Sequence, residues 1–103
     1  MVDLKAMPFY LNDEQIAWVE DTIAGMTPEE KIGQLFIIFN QNRNPDYIRK
    51  VCENYHIGGL RWMGGTLEEV YEQNRLYQEY SRIPLLIAAN CETGGNGAVA
   101  EGT

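Results

Sequence analysis

Two regimes of apolar spacing alternate along this chain, one with a helical period and one with none. From Asn12 or Asp13, the run DEQIAWVEDTIAG sets Ile16, Val19 and Ile23 on one side, opposite Glu14, Glu20 and Asp21, and stops at Gly25. Apolar residues recurring at three- and four-residue steps predict an amphipathic helix that ends on a glycine. Thr27, Pro28 and Glu30 then make a TxxE capping box with proline at the first helical position. The Thr27 hydroxyl and the Glu30 carboxylate can each satisfy an exposed N–H, so a second helix starts there and runs through Lys31, Ile32 and Gln34. At Leu35 the period disappears. LFIIF is apolar at every position and branched or aromatic at most of them, which predicts a first strand buried on both faces.

The polar stretch NQNRN reads as a loop, and Asn44, Pro45 and Asp46 restart a helix with Ile48, Val51, Cys52 and Tyr55 along one side. His56 to Gly59 ends it. LRWM, bounded by a glycine pair on each side, predicts a second strand from Leu60 to Met63. Thr66 and Glu69 form another capping box, and the helix from Leu67 to about Ser81 carries Val70, Asn74 and Tyr77 on one stripe. PLLIAA, Pro84 to Ala89, is the third apolar run, followed by the glycine-rich ETGGNGAVAEGT. A helix between each pair of strands supplies the crossover that parallel neighbours require. The fold class is therefore α/β, with about three parallel strands and flanking helices. Three such strands begin a sheet and leave its edges unpaired.

Composition narrows the partners. The 103 residues are 45% hydrophobic and 22% charged, within the globular range and enough for one compact domain. Fifteen acidic against eight basic residues give a net charge of -7, which repels phosphate backbones and anionic membranes. Neither nucleic acid nor membrane is expected as a partner. The start MVDLKAMPFYLNDEQ has no basic region followed by an apolar run, so an unprocessed, cytoplasmic protein is expected. Cys52 and Cys91, far apart, read as free thiols of a reducing compartment. Cys52 and His56 have metal-ligand spacing, but two ligands do not make a site. No metal and no cofactor are expected.

Four landmarks carry a resemblance: MTPEEKIGQLF at 26–36, HIGGLRWM at 56–63, NRLYQEYSRIPLLIAAN at 74–90 and CETGGNGAVAEGT at 91–103. In that order they resemble the N-terminal barrel domain of the family-3 glycoside hydrolases, most nearly its β-N-acetylhexosaminidase branch. The resemblance implies a partial (β/α)8 barrel, with residues 1–25 as a leading helix and 26–103 as the first strand and helix units. It also implies a retaining glycosidase acting on a carbohydrate through a covalent glycosyl-enzyme. In that family the third strand leads into a DxEGG-like pattern whose aspartate binds sugar hydroxyls. Asn90 stands here at the aspartate, Glu92 at the glutamate, and Gly94 and Gly95 at the glycines, with Thr93 as an additional residue. Asn90 and Glu92 are thus the substrate-binding candidates. The family's aspartate nucleophile and histidine acid/base follow later strands, and a barrel takes roughly 250 residues. No catalytic residue is assigned here, and the chain alone is expected to be inactive.

Position supports the pair independently, because barrel sites lie at the C-terminal ends of the strands. Asn40 and Gly64 share that end by position alone. The structural alternative has Asn90 bonding the next turn and Glu92 solvated. His56 is expected to bond helix-end carbonyls with its ring, Asn74 to bond a neighbouring loop, Trp62 to be core rather than a sugar platform, and Trp18 to pack on the barrel flank. Three other readings stay open. GNGAVA at 95–100 fits a GxGxxA dinucleotide fingerprint, although it follows the third strand rather than the first. The chain also fits a non-catalytic carbohydrate-binding module, or a module that self-associates through its open sheet edges.

Overall fold

The computed structural model describes residues 2–99. Its elements follow the sequence closely: α1 (Asp13–Ala24), α2 (Pro28–Gly33), β1 (Ile37–Phe39), α3 (Pro45–Glu53), β2 (Gly59–Trp62), α4 (Leu67–Glu79), β3 (Leu86–Ala89) and a 3-10 turn at Gly95–Gly97. Local chemistry starts each helix. Capping boxes form at Asn12 with Gln15, Thr27 with Glu30 and Thr66 with Glu69, and the Asn44 side chain caps α3. Caps of this kind are each worth about 1 kcal/mol.

The three strands form one parallel sheet in the order β1-β2-β3. In register, Ile38, Leu60 and Ile87 lie side by side on one face, and Phe39, Arg61 and Ala88 on the other. Paired residues of a sheet share a face, so each row meets a different environment. Of the first row, Leu60 enters the core made with α3 and α4 by Ile48, Val51, Cys52, Ile57, Trp62, Tyr77 and Leu85, and Ile38 packs against it, while Ile87 on the edge strand stays 37% exposed. Burying an aliphatic or aromatic side chain fully contributes about 1.5–3 kcal/mol, and this group is the main apolar store of the fold.

The opposite face is uncovered. Ile37 is 59% and Leu86 73% exposed, whereas Leu60 is fully buried. The expectation of strands buried on both faces therefore fails for β1, whose outer face no helix covers, and for β3, which is an edge strand exposed at every position. The molecule is accordingly thin, 44 × 31 × 18 Å, as two layers about 10 Å apart require. Trp18, expected against a flank, is instead exposed, and among the described residues α1 buries none.

Tight backbone contacts set the sheet's N-terminal end. A methyl on Gly58 would run into the Gln34 backbone, and one on Gly33 into the Tyr55 and His56 carbonyls. Gln34 Nε2 donates to the His56 and Ile57 carbonyls at 3.0 and 3.3 Å. His56 thus contributes its backbone, held at φ 53°, rather than the ring bond its helix-end position suggests.

Candidate functional site

Parallel strands bring their C-terminal ends to one edge, so the loops after β1, β2 and β3 gather there whatever their separation in sequence. The structure brings Asn90 and Glu92 together on that edge. Asn90 Nδ2 donates to Glu92 Oε1 at 3.1 Å, and both side chains are exposed. This bond uses one N–H of the amide and one oxygen of the carboxylate, and the rest of each exposed group has further hydrogen-bonding capacity. Such an array of one donor and several acceptors suits vicinal hydroxyls. The chain after β3 folds back beside it. Gly97 lies so close to the Asn90 carbonyl that a methyl there would collide with it.

The other positions on this edge have structural roles. Asn40 is 1% exposed; its Oδ1 accepts from the Met63 N–H at 2.6 Å and joins the ends of β1 and β2, while its Nδ2 has no partner among the described residues. Gly64, at φ 98°, turns the chain after β2. Trp62 is core, 3% exposed, and its Nε1 donates to the Ala98 carbonyl at 2.9 Å. Asn74 is partly buried, but its Oδ1 lacks a partner among the described residues, so the expected loop bond is not made through that atom.

Pattern reading overlooked Arg43. Its Nη2 donates to the Gly64 carbonyl at 2.6 Å, its Nη1 pairs with Glu69 Oε2 at 3.0 Å, and its guanidinium lies 5.4 Å from the Trp62 ring centroid. The Thr66 N–H and the Arg43 charge together hold the Glu69 carboxyl below the usual carboxylate range. The only signal in the sequence is position, since Arg43 sits in the loop after the first strand. A capping box hides the second role of Glu69.

The remaining chemistry-bearing residues lie elsewhere. Gln34, Ile57 and Ile83 precede the three strands, and the cleft of about 240 Å³ that they line with Cys52, His56 and Arg82 is at the opposite end of the sheet. Cys52 and Cys91 are free thiols, the first buried with its Sγ 3.7 Å from the Tyr77 carbonyl, the second exposed. Burial pushes the Cys52 thiol up. Of the GxGxxA segment, residues 95–97 form the 3-10 turn and Ala100 lies outside the described residues.

Helices on one face of a parallel sheet, with an amide and a carboxylate at the strand ends, define an α/β unit. No family model matches the chain. A β-N-acetylglucosaminidase/β-glucosidase of Cellulomonas fimi is 38% identical over all 103 residues, which span 18% of that relative's length. A solved structure of the β-glucoside phosphorylase BglX bound to 2FGlc overlays with a TM-score of 0.80 at 34% identity, covering 97% of this chain and 18% of that one. A second structure of BglX gives 0.76 at 30% identity, covering 97% of this chain and 17% of that one. The chain thus spans less than a fifth of the length of the proteins it matches, and in sequence and in fold it is similar to the N-terminal region of glycosidases of the family-3 type.

Proposed function

We propose that this chain is the opening part of a retaining β-glycosidase, of the β-N-acetylglucosaminidase or β-glucosidase type. In this reading it holds part of the sugar site and none of the groups that break the glycosidic bond. The observation that carries it is the Asn90–Glu92 pair at the strand ends, in a chain related to enzymes of those names. Glu92 accepts hydrogen bonds from sugar hydroxyls, and Asn90 both donates and accepts. Retaining chemistry needs a nucleophile and an acid/base about 5 Å apart. Both come from later strands of a barrel that continues β3, so the 103 residues alone are inactive. The free thiols fit a cytoplasmic protein. In isolation the exposed Ile37 and Leu86 favour self-association.

The test uses the full-length protein on nitrophenyl β-glucoside and nitrophenyl β-N-acetylglucosaminide. Glu92→Gln and Asn90→Ala should each lower kcat/KM by at least about tenfold, as loss of a hydrogen bond to a charged or polar partner implies. Unaltered kinetics in both variants would remove the pair from the sugar site.

A second reading concerns the acceptor. Both BglX structures are of a β-glucoside phosphorylase, which favours transfer of the glycosyl unit to phosphate in place of water. Sugar 1-phosphate formed only when phosphate is added supports phosphorolysis. Free sugar released at the same rate without phosphate supports hydrolysis.

A further inference from the structure

We infer that Arg43 is a positioning residue for the sugar site, acting on Asn90 through Trp62 and the chain after β3; this rests on the proposed sugar-binding role of Asn90. The geometry forms a continuous path. One guanidinium bonds the Gly64 carbonyl at 2.6 Å, pairs with Glu69 at 3.0 Å and stacks on Trp62 at 5.4 Å. The Arg43 carbonyl in turn accepts from Gln73 Nε2 at 3.5 Å, which ties its own loop to α4. Loops one and two of the strand-end edge are thereby joined by a single side chain. Trp62 passes the restraint on, because its indole N–H holds the Ala98 carbonyl at 2.9 Å. Gly97, next to Ala98, sits against the Asn90 carbonyl at a separation no larger residue would permit.

Three loops that are far apart in sequence are thus in mechanical contact. Of their shared members, Trp62 is buried and Arg43, partly exposed, has both ends of its guanidinium engaged by the protein, Nη2 on the Gly64 carbonyl and Nη1 on Glu69. Gly65 shows how closely the group is packed. A methyl there would meet Glu69 Oε2 at 2.9 Å, the Trp62 ring at 3.2 Å and Arg43 Nη1 at 3.5 Å. Lysine does not replace this arginine, because a point charge cannot hold a carbonyl and a carboxylate in one plane while stacking on an indole.

The experiment measures KM and kcat of the full-length protein on the two nitrophenyl glycosides, with and without phosphate. Arg43→Met should raise KM about tenfold with kcat changed less, the size expected when a binding group is misplaced without losing the chemistry. Arg43→Lys should recover only part of that loss. In the Asn90→Ala background Arg43→Met should add almost nothing, since its effect passes through Asn90. KM effects that multiply in the double variant, or a lowered melting temperature with unaltered KM, would overturn the inference. If Arg43→Met does not fold, Glu69→Gln keeps the cap, drops the ion pair and should raise KM about threefold by the same route; unchanged KM counts against it. Absence of turnover by the unsubstituted protein under both conditions defeats the glycosidase reading instead. The path is then read directly by NMR: Arg43→Lys should shift the Asn90 side-chain amide signals and speed exchange of the Trp62 indole N–H, and unmoved signals would overturn it.

Discussion

The Trp62 indole N–H donates to the Ala98 carbonyl across 36 residues of sequence, at 2.9 Å. It ties the end of β2 to the segment that folds back past Asn90. Trp62→Phe removes that donor and leaves both a gap in the core and an unpaired carbonyl. Together these should cost about 2–3 kcal/mol, read as a lower midpoint in urea unfolding at unchanged slope.

The α2–β1 junction and the α3–β2 loop approach backbone to backbone, and Gly58 is the contact point. Gly58→Ala would press a methyl against the Gln34 carbonyl, carbon and Cα, none of which can move as a side-chain tip would. Overpacking of this kind costs about 1–3 kcal/mol. Thermal melting should show a marked drop for Gly58→Ala and a much smaller one for Gly25→Ala, where the nearest contact is 3.4 Å.

Two helix caps make stability acid-sensitive. The Thr27 N–H and then the Arg82 charge lower the Glu30 carboxyl, as the Thr66 N–H and Arg43 lower Glu69. Because both folded-state values lie below the ordinary 4.5, the unfolded chain takes up protons first as pH falls. The stabilisation is complete above pH 4.5 and is lost as pH drops through the lower folded-state values. A pH series of urea midpoints should fall in that window, and Glu30→Gln with Glu69→Gln should flatten the fall.

Tyr77 is fully buried, and its hydroxyl lacks a partner among the described residues. An unsatisfied hydroxyl in an apolar core costs about 1–3 kcal/mol, so Tyr77→Phe should leave stability unchanged or raise it by about 1 kcal/mol. Burial also pushes the Tyr77 phenol up to about 12. Ultraviolet titration of the folded chain should show one tyrosine resisting ionisation, and that step should vanish in Tyr77→Phe.

The spacing of apolar residues and the capping chemistry determined every helix and the existence of all three strands. Both depend on interactions within about four residues, between Thr66 and Glu69 for example, or among Ile48, Val51 and Cys52 on one helical side. The C-terminal position of Asn90 and Glu92 after the third apolar run was legible for the same reason, once the strands were read as parallel. Only the tertiary structure decided which strand faces are covered, since LFIIF and PLLIAA carry apolar residues on both sides and cannot signal which of them the helices shield. It also decided that Arg43 bonds Gly64 and Glu69, and that Asn40 is locked onto Met63 instead of facing a ligand. Those contacts join residues more than twenty positions apart, and they exist because parallel register brings all three strand ends to the same edge.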